Sequence, residues 1–366
     1  MSVLQAPLRA RRVGVLAILS LCSACDRGTA PTDGTVRARG EAFGTGWSVI
    51  ATEAASSLTP IDGETLAEVV QQELDAIDAS VSTWRDDSEI TTFNRLGADF
   101  GRPIGPSFRS ILLTSREVFD ATGGAFDPTV GPLVDGWGFG ARGSRDAEVP
   151  SDKAIATLLE SVGFDRLRLD LVSVPGEEPH LLQPDPPLEL DLSAVAKGYA
   201  VDLVAHALME QGLDNYFVEV GGEVRARGIS PRGEAWRVGV TAPTNEPGAA
   251  ATVAFAVSVS DGAVATSGDY RNFRLVDGVK YSHTIDPRTG RPVEDPPASV
   301  TVVGPTCVLA DAWATALCVL GPHEGLELIE QRPELEALFL MRPAVDGADF
   351  ERFASSGFER LLVEKP

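Results

Sequence analysis

The hydrophobic pattern is most regular in the middle of the chain, where a short apolar run leads into a long helical repeat. After residue 193, apolar positions recur every three to five residues, which predicts an amphipathic helix with one buried face. Asp191 ends the strand predicted before this helix, Ser193 is well placed to be its N-cap, and Gly212 marks its end. The apolar positions that carry the pattern are Val195, Tyr199, Leu203 and Leu208.

Helical spacing recurs in other segments, and strand-like alternation in many more. The other predicted helices are Glu64–Ser80, Phe108–Ala121, Asp152–Val162 and Cys307 to about Leu320, the last of them capped by Thr306. The predicted strands are Val36–Ile50 (with a tight turn at Gly44–Trp47), Tyr216–Val220, Glu223–Gly228, Trp236–Val240, Val253–Ser260, Ala263–Thr266, Tyr281–Ile285 and Ser299–Val303.

Two further stretches complete the predicted organisation. Arg166–Val174 and His180–Leu192 alternate and are predicted to form a hairpin that leads into the central helix. Gly123–Gly140 contains too much Gly and Pro for a regular element, and a long loop with apolar and aromatic residues is usually functional. Strands and helices mixed in this way, with many hairpins, indicate an α+β fold with largely antiparallel sheets and packed helices.

Lys197 is an unusual residue for its place near the start of the central helix. A cation in the first turn faces the positive end of the helix dipole, which is mildly unfavourable unless an anion shares the site. With Asp191 nearby, the helix start is therefore a candidate phosphate and metal site. The alternative is that Lys197 is merely solvated and that Asp191 is an ordinary turn carboxylate.

A carboxylate and a hydroxyl lie four residues apart in the apolar helix that starts at Cys307. Asp311 and Thr315 therefore share one helix face and can offer two oxygens to Mg²⁺, which prefers oxygen ligands and keeps other positions for water and phosphate. The alternative is that Thr315 bonds to its own helix backbone and that Asp311 pairs with an arginine.

Three other features are candidates for binding or catalysis. His283 lies in a polar motif; a lone histidine is more often structural than catalytic, but serine, threonine and aspartate neighbours favour function here. Trp84 either packs on the body of the protein or stacks on a flat ligand. Thr266 and Ser267, followed by a glycine, form a candidate anion-binding turn.

Composition narrows the possible ligands. The 366 residues are 43% hydrophobic, which is enough for one large domain or two smaller ones. A net charge of −22 argues against a nucleic-acid partner, whose phosphates need a basic surface. An acidic chain that binds a phosphate-bearing ligand needs focused cations to offset its own field. Cys307 and Cys318, the only cysteines after the leader, are too few for a disulfide framework or a cysteine zinc site.

Residues 1–24 are predicted to be a lipoprotein-type signal peptide. Basic residues at positions 9–12 precede an apolar stretch, Val13–Leu21, that is too short to span a bilayer as a mature helix. The small residues before Cys25 resemble a bacterial lipoprotein processing site, which predicts a lipid anchor on Cys25. Conventional cleavage nearby, or modification of Cys22, is the alternative.

The residues after Cys25 fit this interpretation. Asp26 resembles the sorting signal for retention at the periplasmic side of the bacterial inner membrane. Residues 25–35, rich in Gly, Pro, Thr and Asp, are predicted to be a flexible tether, and residues 36–366 the catalytic domain.

Eight motifs occur in order between Phe43 and Gly321. They are GTGWSV, STWRDDSEITTFN, AFDPTVGPLVDGWGFG, LDLSAVAKGYAVD, EVGGEVRARG, ATSGDYRNF, SHTIDPRTGRPV and ADAWATAL. In this order they resemble the ApbE family of FAD:protein FMN transferases, also known as thiamine biosynthesis lipoproteins, over about three quarters of the chain. Phe43, Trp84 and Ala194 depart from the methionine, tyrosine and glycine frequent in the family, but each retains the contact expected of it.

The resemblance implies a T-fold-like α+β enzyme that needs Mg²⁺. It implies that FAD is split at its pyrophosphate, that FMN moves to a threonine of a target flavoprotein, and that AMP is released. The implied catalytic residues are His283, which would assist proton removal from the acceptor hydroxyl, Lys197 and Asp191. The implied metal ligands are Asp311 and Thr315, with the backbone carbonyls of Ala194 and Ala314. The implied FAD contacts are Phe43, Trp84, Ala125, Phe126, Asp127, Asp191, Lys197, His283 and Ile285, to which the anion-binding turn adds Thr266 and Ser267.

Two other functions would use some or all of these residues. An FAD pyrophosphatase, in which water replaces the threonine and free FMN leaves with AMP, would use every one of them. A non-catalytic flavin-binding lipoprotein would need the aromatic contacts but neither Asp311 nor Thr315, so the presence of both metal residues ranks it last.

Overall fold

The computed structural model describes residues 34–52, 61–140, 143–144, 148–168, 180–243, 252–268, 273–343 and 349–364. The predicted signal peptide and most of the predicted tether, including Cys22 and Cys25, lie outside these residues. The first strand begins at Thr35, one residue before the predicted start of the catalytic domain. Within the described ranges, no helix has both the length and the apolar character needed to span a membrane.

The described residues form helices and strands that are interspersed along the chain. The helices are α1 (Gly63–Val81), α2 (Glu89–Asn94), α3 (Pro106–Ala121), α4 (Gly131–Gly136), α5 (Asp152–Leu159), α6 (Ser193–Glu210) and α7 (Cys307–Ile329), with 3₁₀ turns at Phe164–Arg166 and Phe358–Leu361. The strands are β1 (Thr35–Ala42), β2 (Thr45–Thr52), β3 (Gly101–Pro103), β4 (His180–Leu182), β5 (Asn215–Val220), β6 (Glu223–Arg227), β7 (Trp236–Thr241), β8 (Val253–Val259), β9 (Asp261–Ser267), β10 (Phe273–Val276), β11 (Val279–Ser282), β12 (Ile285–Asp286), β13 (Arg291–Pro292), β14 (Ser299–Gly304), β15 (Glu336–Met341), β16 (Glu351–Ala354) and β17 (Leu362–Val363).

An eight-stranded antiparallel sheet forms the centre of the molecule. Its strand order is β1-β2-β5-β6-β9-β14-β15-β16, and every neighbouring pair is antiparallel. A smaller sheet of order β17-β8-β7 and three two-stranded pairs accompany it. The prediction of an α+β fold with largely antiparallel sheets is therefore confirmed.

The central sheet separates two hydrophobic cores, because successive residues of a strand face opposite sides. Val218 and Ala265 face the larger core, which they share with α1, α3, α6 and α7. Their neighbours Phe217 and Val264 face a second core formed with the β7–β8–β17 sheet. The helices that carry the candidate site therefore lie together on one face of the sheet.

One sequence prediction about a loop is wrong, and another falls partly outside the described residues. Gly123–Gly140 is not free of regular structure, because it contains the short helix α4, which begins with glycine and proline as helix starts tolerate. Of the predicted hairpin Arg166–Val174 with His180–Leu192, residues 169–174 lie outside the described residues, so this prediction is not tested; β4 pairs with β3. Gly101 of β3 has no side chain, and this lets β4 approach closely: a Cβ there would lie 2.2 Å from Leu182 Cδ2.

The start of α6 also differs from the prediction. Leu192, not Ser193, occupies the N-cap position, and no strand runs up to Asp191, because residues 183–192 are irregular. Asp191 performs the capping from outside, because its Oδ1 accepts the N–H of Ser193 at 2.9 Å. The helix is buried on several sides rather than on one face, since it lies between the sheet, α1 and α7.

Helices α6 and α7 approach each other closely at Gly198. A Cβ at this position would lie 2.4 Å from the carbonyl oxygen of Cys307 and 2.8 Å from Cβ of Asp311. The N–H of Gly198 donates to Asp311 Oδ2 at 3.0 Å. Only glycine leaves room for this crossing, which joins two of the motifs found in the sequence.

We expect Gly198→Ala to destabilise the protein by about 1–3 kcal/mol, because the added methyl group forces the two helices apart. Urea unfolding followed by circular dichroism measures the loss. Gly97→Ala is the matched control, since a Cβ there meets its nearest neighbour, Phe100 Cδ2, at an ordinary 3.7 Å. Equal unfolding midpoints for the two variants would contradict the tight crossing.

Candidate active site

A lysine and two acidic residues come together where α6, α7 and the β5–β6 hairpin meet. Lys197 Nζ donates to Glu223 Oε1. Asp311, which is 3% exposed, receives the N–H of Gly198, the residue next to Lys197. We refer to Lys197, Glu223 and Asp311 as the charge cluster. Lys197 is thus held by an ion pair, and the interpretation of it as a merely solvated residue is wrong.

Lys197 is the fifth residue of α6, so it lies in the second helical turn and not in the first as predicted. The helix dipole is weak beyond the terminal turn, and the side chain is governed by its neighbours instead. Burial acts to lower the pKa of Lys197, but Glu223 and Asp311 outweigh burial, so this pKa lies above its ordinary value. The ammonium group therefore stays charged.

The pKa of Asp311 is raised as well, but for a carboxyl group this shift disfavours the charged form. Burial raises the pKa of Asp311, Lys197 acts to lower it, and Glu223 adds to the rise. With two carboxyl groups and one ammonium group, the cluster carries a formal charge of −1 when all three are ionised. Such a site favours a divalent cation, whose binding would relieve the repulsion between the carboxylates.

The start of α7 is capped from α6. Asp202 accepts the N–H groups of Cys307 at 3.0 Å and Val308 at 2.8 Å, and Arg225 of β6 pairs with the same carboxylate at 2.6 Å. Thr306 occupies the N-cap position as predicted, but its side chain makes no capping bond. The register between α6 and α7, and hence the place of Asp311, is set by this contact.

The predicted metal ligands lie around the same crossing. Thr315 Oγ1 is 3.4 Å from Ser267 Oγ, at the end of β9, so Ser267 joins the site. The N–H of Gly198, which a regular helix directs to the carbonyl of Ala194, also lies 3.0 Å from Asp311 Oδ2. The Ala194 carbonyl and the Asp311 carboxylate therefore both lie near the Gly198 N–H, and so near each other. These groups are all oxygen ligands, as Mg²⁺ prefers.

Two of the predicted site residues, Thr266 and Ala314, lie in surroundings that differ from those of Ser267 and Thr315. Thr266 Oγ1 bonds across the sheet to Thr301 Oγ1 at 3.0 Å, on the strand face opposite to that of Ser267. Ala314 is fully buried in the interior of α7. Within the described part of the chain, no three His, Cys, Asp or Glu side chains form a ready-made metal centre. A cation here would have to complete its shell with water or phosphate.

The loop that contains Ala125, Phe126 and Asp127 is anchored by its own carboxylate. Asp127 Oδ1 accepts the N–H of Thr129 at 2.7 Å and its hydroxyl at 2.6 Å, and Oδ2 accepts the N–H of Phe164 at 3.2 Å. Burial raises the pKa of Asp127, and these donors oppose the rise. Ala125 and Phe126 are buried as well, so the loop is a rigid element.

This loop lies next to the start of α6. The N–H of Asp191 donates to the carbonyl of Pro128 at 2.7 Å, and a Cβ at Gly131 would lie 3.8 Å from Cβ of Asp191. Asn94 holds the preceding residue, since its side chain both donates to the Leu190 carbonyl at 2.8 Å and accepts the Leu190 N–H at 2.9 Å. Three sequence motifs therefore meet at Asp191.

His283 and Ile285 lie at the far end of the same loop. The ring of His283 packs edge-on against Phe139, with 6.3 Å between the ring centroids. Ile285 is buried in a small cluster with Leu133, Trp137 and Ile155. The 123–140 segment thus contacts Asp191 on one side and His283 on the other.

The two predicted aromatic contacts differ in their surroundings. Trp84 is 84% exposed, so the interpretation that it packs on the body of the protein is wrong. An idle tryptophan in water is unfavourable, and ligand stacking remains the interpretation for it. Phe43 lies in the turn between β1 and β2 with a φ of 52°, next to Gly44 with a φ of 72°, and is partly buried.

Sequence reasoning missed three residues of this region. Glu223 partners Lys197, Asp202 caps α7, and Asn94 holds the segment before Asp191. Each lies inside one of the eight motifs. For Glu223 the available signal was a carboxylate directly after a two-glycine hairpin turn, which fixes where its backbone lies.

Comparison with known proteins identifies the class. The family model described as the ApbE family matches residues 43–339. The FAD:protein FMN transferase of Escherichia coli is 35% identical over 363 residues, covering 97% of this chain and 98% of the relative. The FAD:protein FMN transferase of Vibrio cholerae is 36% identical over 302 residues, covering 82% and 86% respectively.

Solved structures agree with the sequence relatives. The flavin transferase ApbE of Vibrio cholerae has a TM-score of 0.76 at 33% identity, covering 90% of this chain and 99% of that one. The apo flavinyl transferase ApbE of Pseudomonas stutzeri has a TM-score of 0.77 at 33% identity, covering 91% and 98%. The fold and the relatives are therefore those of an α+β transferase enzyme. The chain belongs to the ApbE family.

Proposed function

We propose that this enzyme is an Mg²⁺-dependent FAD:protein FMN transferase. The FMN phosphorus becomes bonded to the oxygen of an acceptor threonine in a flavoprotein, the pyrophosphate bond breaks, AMP leaves, and the hydroxyl proton is released. The charge cluster at the α6–α7 crossing carries the proposal, because phosphoryl transfer depends mainly on positioning and charge neutralisation. The names of the relatives support the choice of substrates.

The residues present fit a magnesium ion. Mg²⁺ is usually bound through one or two carboxylates, with substrate phosphates and water filling the remaining positions. Asp311 and Thr315 would hold it, with the carbonyls of Ala194 and Ala314 as the other candidate ligands. When bound, the ion supplies charge neutralisation for the pyrophosphate. An oxygen-only donor set with a negative formal charge is what such an ion needs.

Lys197 neutralises negative charge on the phosphates. Its ammonium group is fixed by Glu223, so little reorganisation is needed when a phosphate arrives. Asp191 and the rigid 125–127 loop orient the ligand next to the start of α6, and Trp84 and Phe43 offer aromatic surface to its rings.

His283 acts on the acceptor. Imidazole in its neutral form accepts a proton, and we propose that the His283 ring takes the proton of the threonine hydroxyl as its oxygen attacks phosphorus. Phe139 packs against the ring and limits its orientation. In the alternative pyrophosphatase reaction, water takes the place of the threonine and the product is free FMN.

The first prediction from this proposal concerns Asp311. Asp311→Asn keeps an acceptor for the Gly198 N–H but loses the charge that binds the metal, so flavin transfer should fall by orders of magnitude while the fold survives. The enzyme is incubated with FAD, Mg²⁺ and an acceptor domain, and flavin fluorescence on the acceptor is read after denaturing electrophoresis. Asp214→Ala, at an exposed position, is the control.

Two outcomes would count against the proposal. Full transfer by Asp311→Asn in the presence of EDTA would refute the metal assignment. Release of AMP and free FMN by the wild-type enzyme, without any flavin on the acceptor, would identify a pyrophosphatase instead.

The second prediction separates ligand binding from proton transfer. Lys197→Ala should weaken FAD binding as well as the rate, because a phosphate loses its cation. His283→Ala should bind FAD almost normally but transfer flavin about 10²–10⁴-fold more slowly. Flavin fluorescence titration measures affinity, and AMP release measures rate. If His283→Ala lost affinity in proportion to rate, the histidine would be a binding residue.

We also propose that the enzyme is anchored by a lipid on Cys25 at the periplasmic face of the inner membrane. The proposal rests on the leader sequence, because Cys25 lies outside the described residues. Cys25→Ser should move the protein from the membrane fraction to the soluble periplasm, as detected by immunoblotting of cell fractions. An unchanged distribution would point to Cys22 or to conventional cleavage.

A further inference from the structure

One oxygen of the Glu223 carboxylate has no hydrogen-bond partner among the described residues. Glu223 is 4% exposed, and its Oε1 accepts from Lys197 Nζ. Its Oε2 is buried and makes no hydrogen bond to any residue that the structure describes. A buried carboxylate oxygen is a strong acceptor that is costly to leave unsatisfied. The site therefore lacks a hydrogen-bond donor at this oxygen.

The position of this carboxylate is fixed by the hairpin that carries it. Val220 pairs with Glu223 across a two-residue turn, and the glycines of that turn have φ values of 60° and 102°. Gly221 N–H donates to the Gly46 carbonyl at 3.0 Å, which ties the turn to β2. A Cβ at Gly221 would lie 3.5 Å from Cδ of Lys197, so the turn also contacts the lysine stem.

The missing donor must be compatible with two neighbouring charges. Glu223 and Asp311 both favour the charged form of Lys197. The two carboxylates also repel each other when both are ionised. Lys197 already donates to Oε1, and Asp311 can offer no proton donor when ionised. Water on a divalent cation is a strong donor, and Mg²⁺ usually keeps several of its waters when it binds to a protein.

We propose that Glu223 is a positioning residue for the metal: its Oε2 accepts a hydrogen bond from a water bound to Mg²⁺, while its Oε1 orients Lys197. The proposal rests on the magnesium site of the proposed function. Glu223 would thus connect the two positive charges that face the pyrophosphate, the metal ion and the ammonium group, through one carboxylate. Loss of a residue that hydrogen-bonds to a metal ligand typically weakens metal affinity by about 10–100-fold.

The same hairpin provides a matched control. Glu219 is a partly buried carboxylate in the same hairpin. Val220 pairs with Glu223 and shares its face of the sheet, so the side chain of Glu219, the residue before Val220, projects from the opposite face. Both of its oxygens have partners, since Oε2 accepts from Ser48 Oγ at 3.2 Å and Oε1 accepts the Gly222 N–H at 2.8 Å. Glu219 therefore has no oxygen left for a metal-bound water.

The experiment measures metal binding directly, without turnover. Mg²⁺ is titrated into the purified full chain by calorimetry, and Mn²⁺ binding is followed by the electron paramagnetic resonance signal of the free ion. In Glu223→Gln the amide oxygen can still accept from Lys197, but the NH₂ group replaces Oε2. Because NH₂ is a donor, it cannot accept a hydrogen bond from the metal-bound water. We expect about 10–100-fold weaker metal binding for this variant, and unchanged binding for Glu219→Gln.

A second variant guards against a folding defect. Glu223→Asp keeps the charge but withdraws the carboxylate by one methylene group, and it should weaken metal binding with an unchanged melting temperature in EDTA. Wild-type affinity in both Glu223 variants would overturn the inference and leave the metal site intact. A wild-type protein that binds neither ion would overturn the metal assignment of the proposed function, and this inference with it.

Discussion

The close crossing of α6 and α7 at Gly198 is the constraint on which the rest of the site depends. With no side chain at this position, the backbone of α6 approaches the first turns of α7, and the Gly198 N–H reaches Asp311. Asp202 fixes the same two helices one turn further along by capping α7. The carboxylate proposed to bind the metal is thereby held by the close backbone approach at Gly198 and by the Asp202 cap.

The charges around this crossing explain how an acidic protein can attract an anionic cofactor. The net charge of −22 opposes a pyrophosphate at long range, but salt screens that field within about 8–10 Å. At short range only the local cluster matters, and there Lys197 keeps its charge because two carboxylates outweigh its burial. In the proposed function, the same carboxylates would favour a metal-bound phosphate, since a bare anion would meet repulsion.

Most of the fold could be predicted from the sequence, but the contacts within the site could not. Periodicity located α1, α3, α5, α6 and α7, because each has apolar residues at helical spacing. It failed at α4, a helix of six residues that is too short to show a period, and at β4, whose partner β3 is distant in the chain. Motif matching identified Lys197 and Asp311. The role of Glu223 emerged only from the structure, because its pairing with Lys197 joins a strand to a helix 26 residues earlier in the chain.

The contacts that build the site join segments far apart in the chain. Asn94 bonds to a residue 96 positions away, Gly198 to one 113 away, and Asp202 to one 105 away. Contacts of such long range form late in folding, because a large loop must close before any of them is gained. An unfinished chain that ends before residue 307 therefore contains no active centre. Such a chain lacks Asp311 and Thr315, so the proposed metal site can assemble only after α7 has been synthesised.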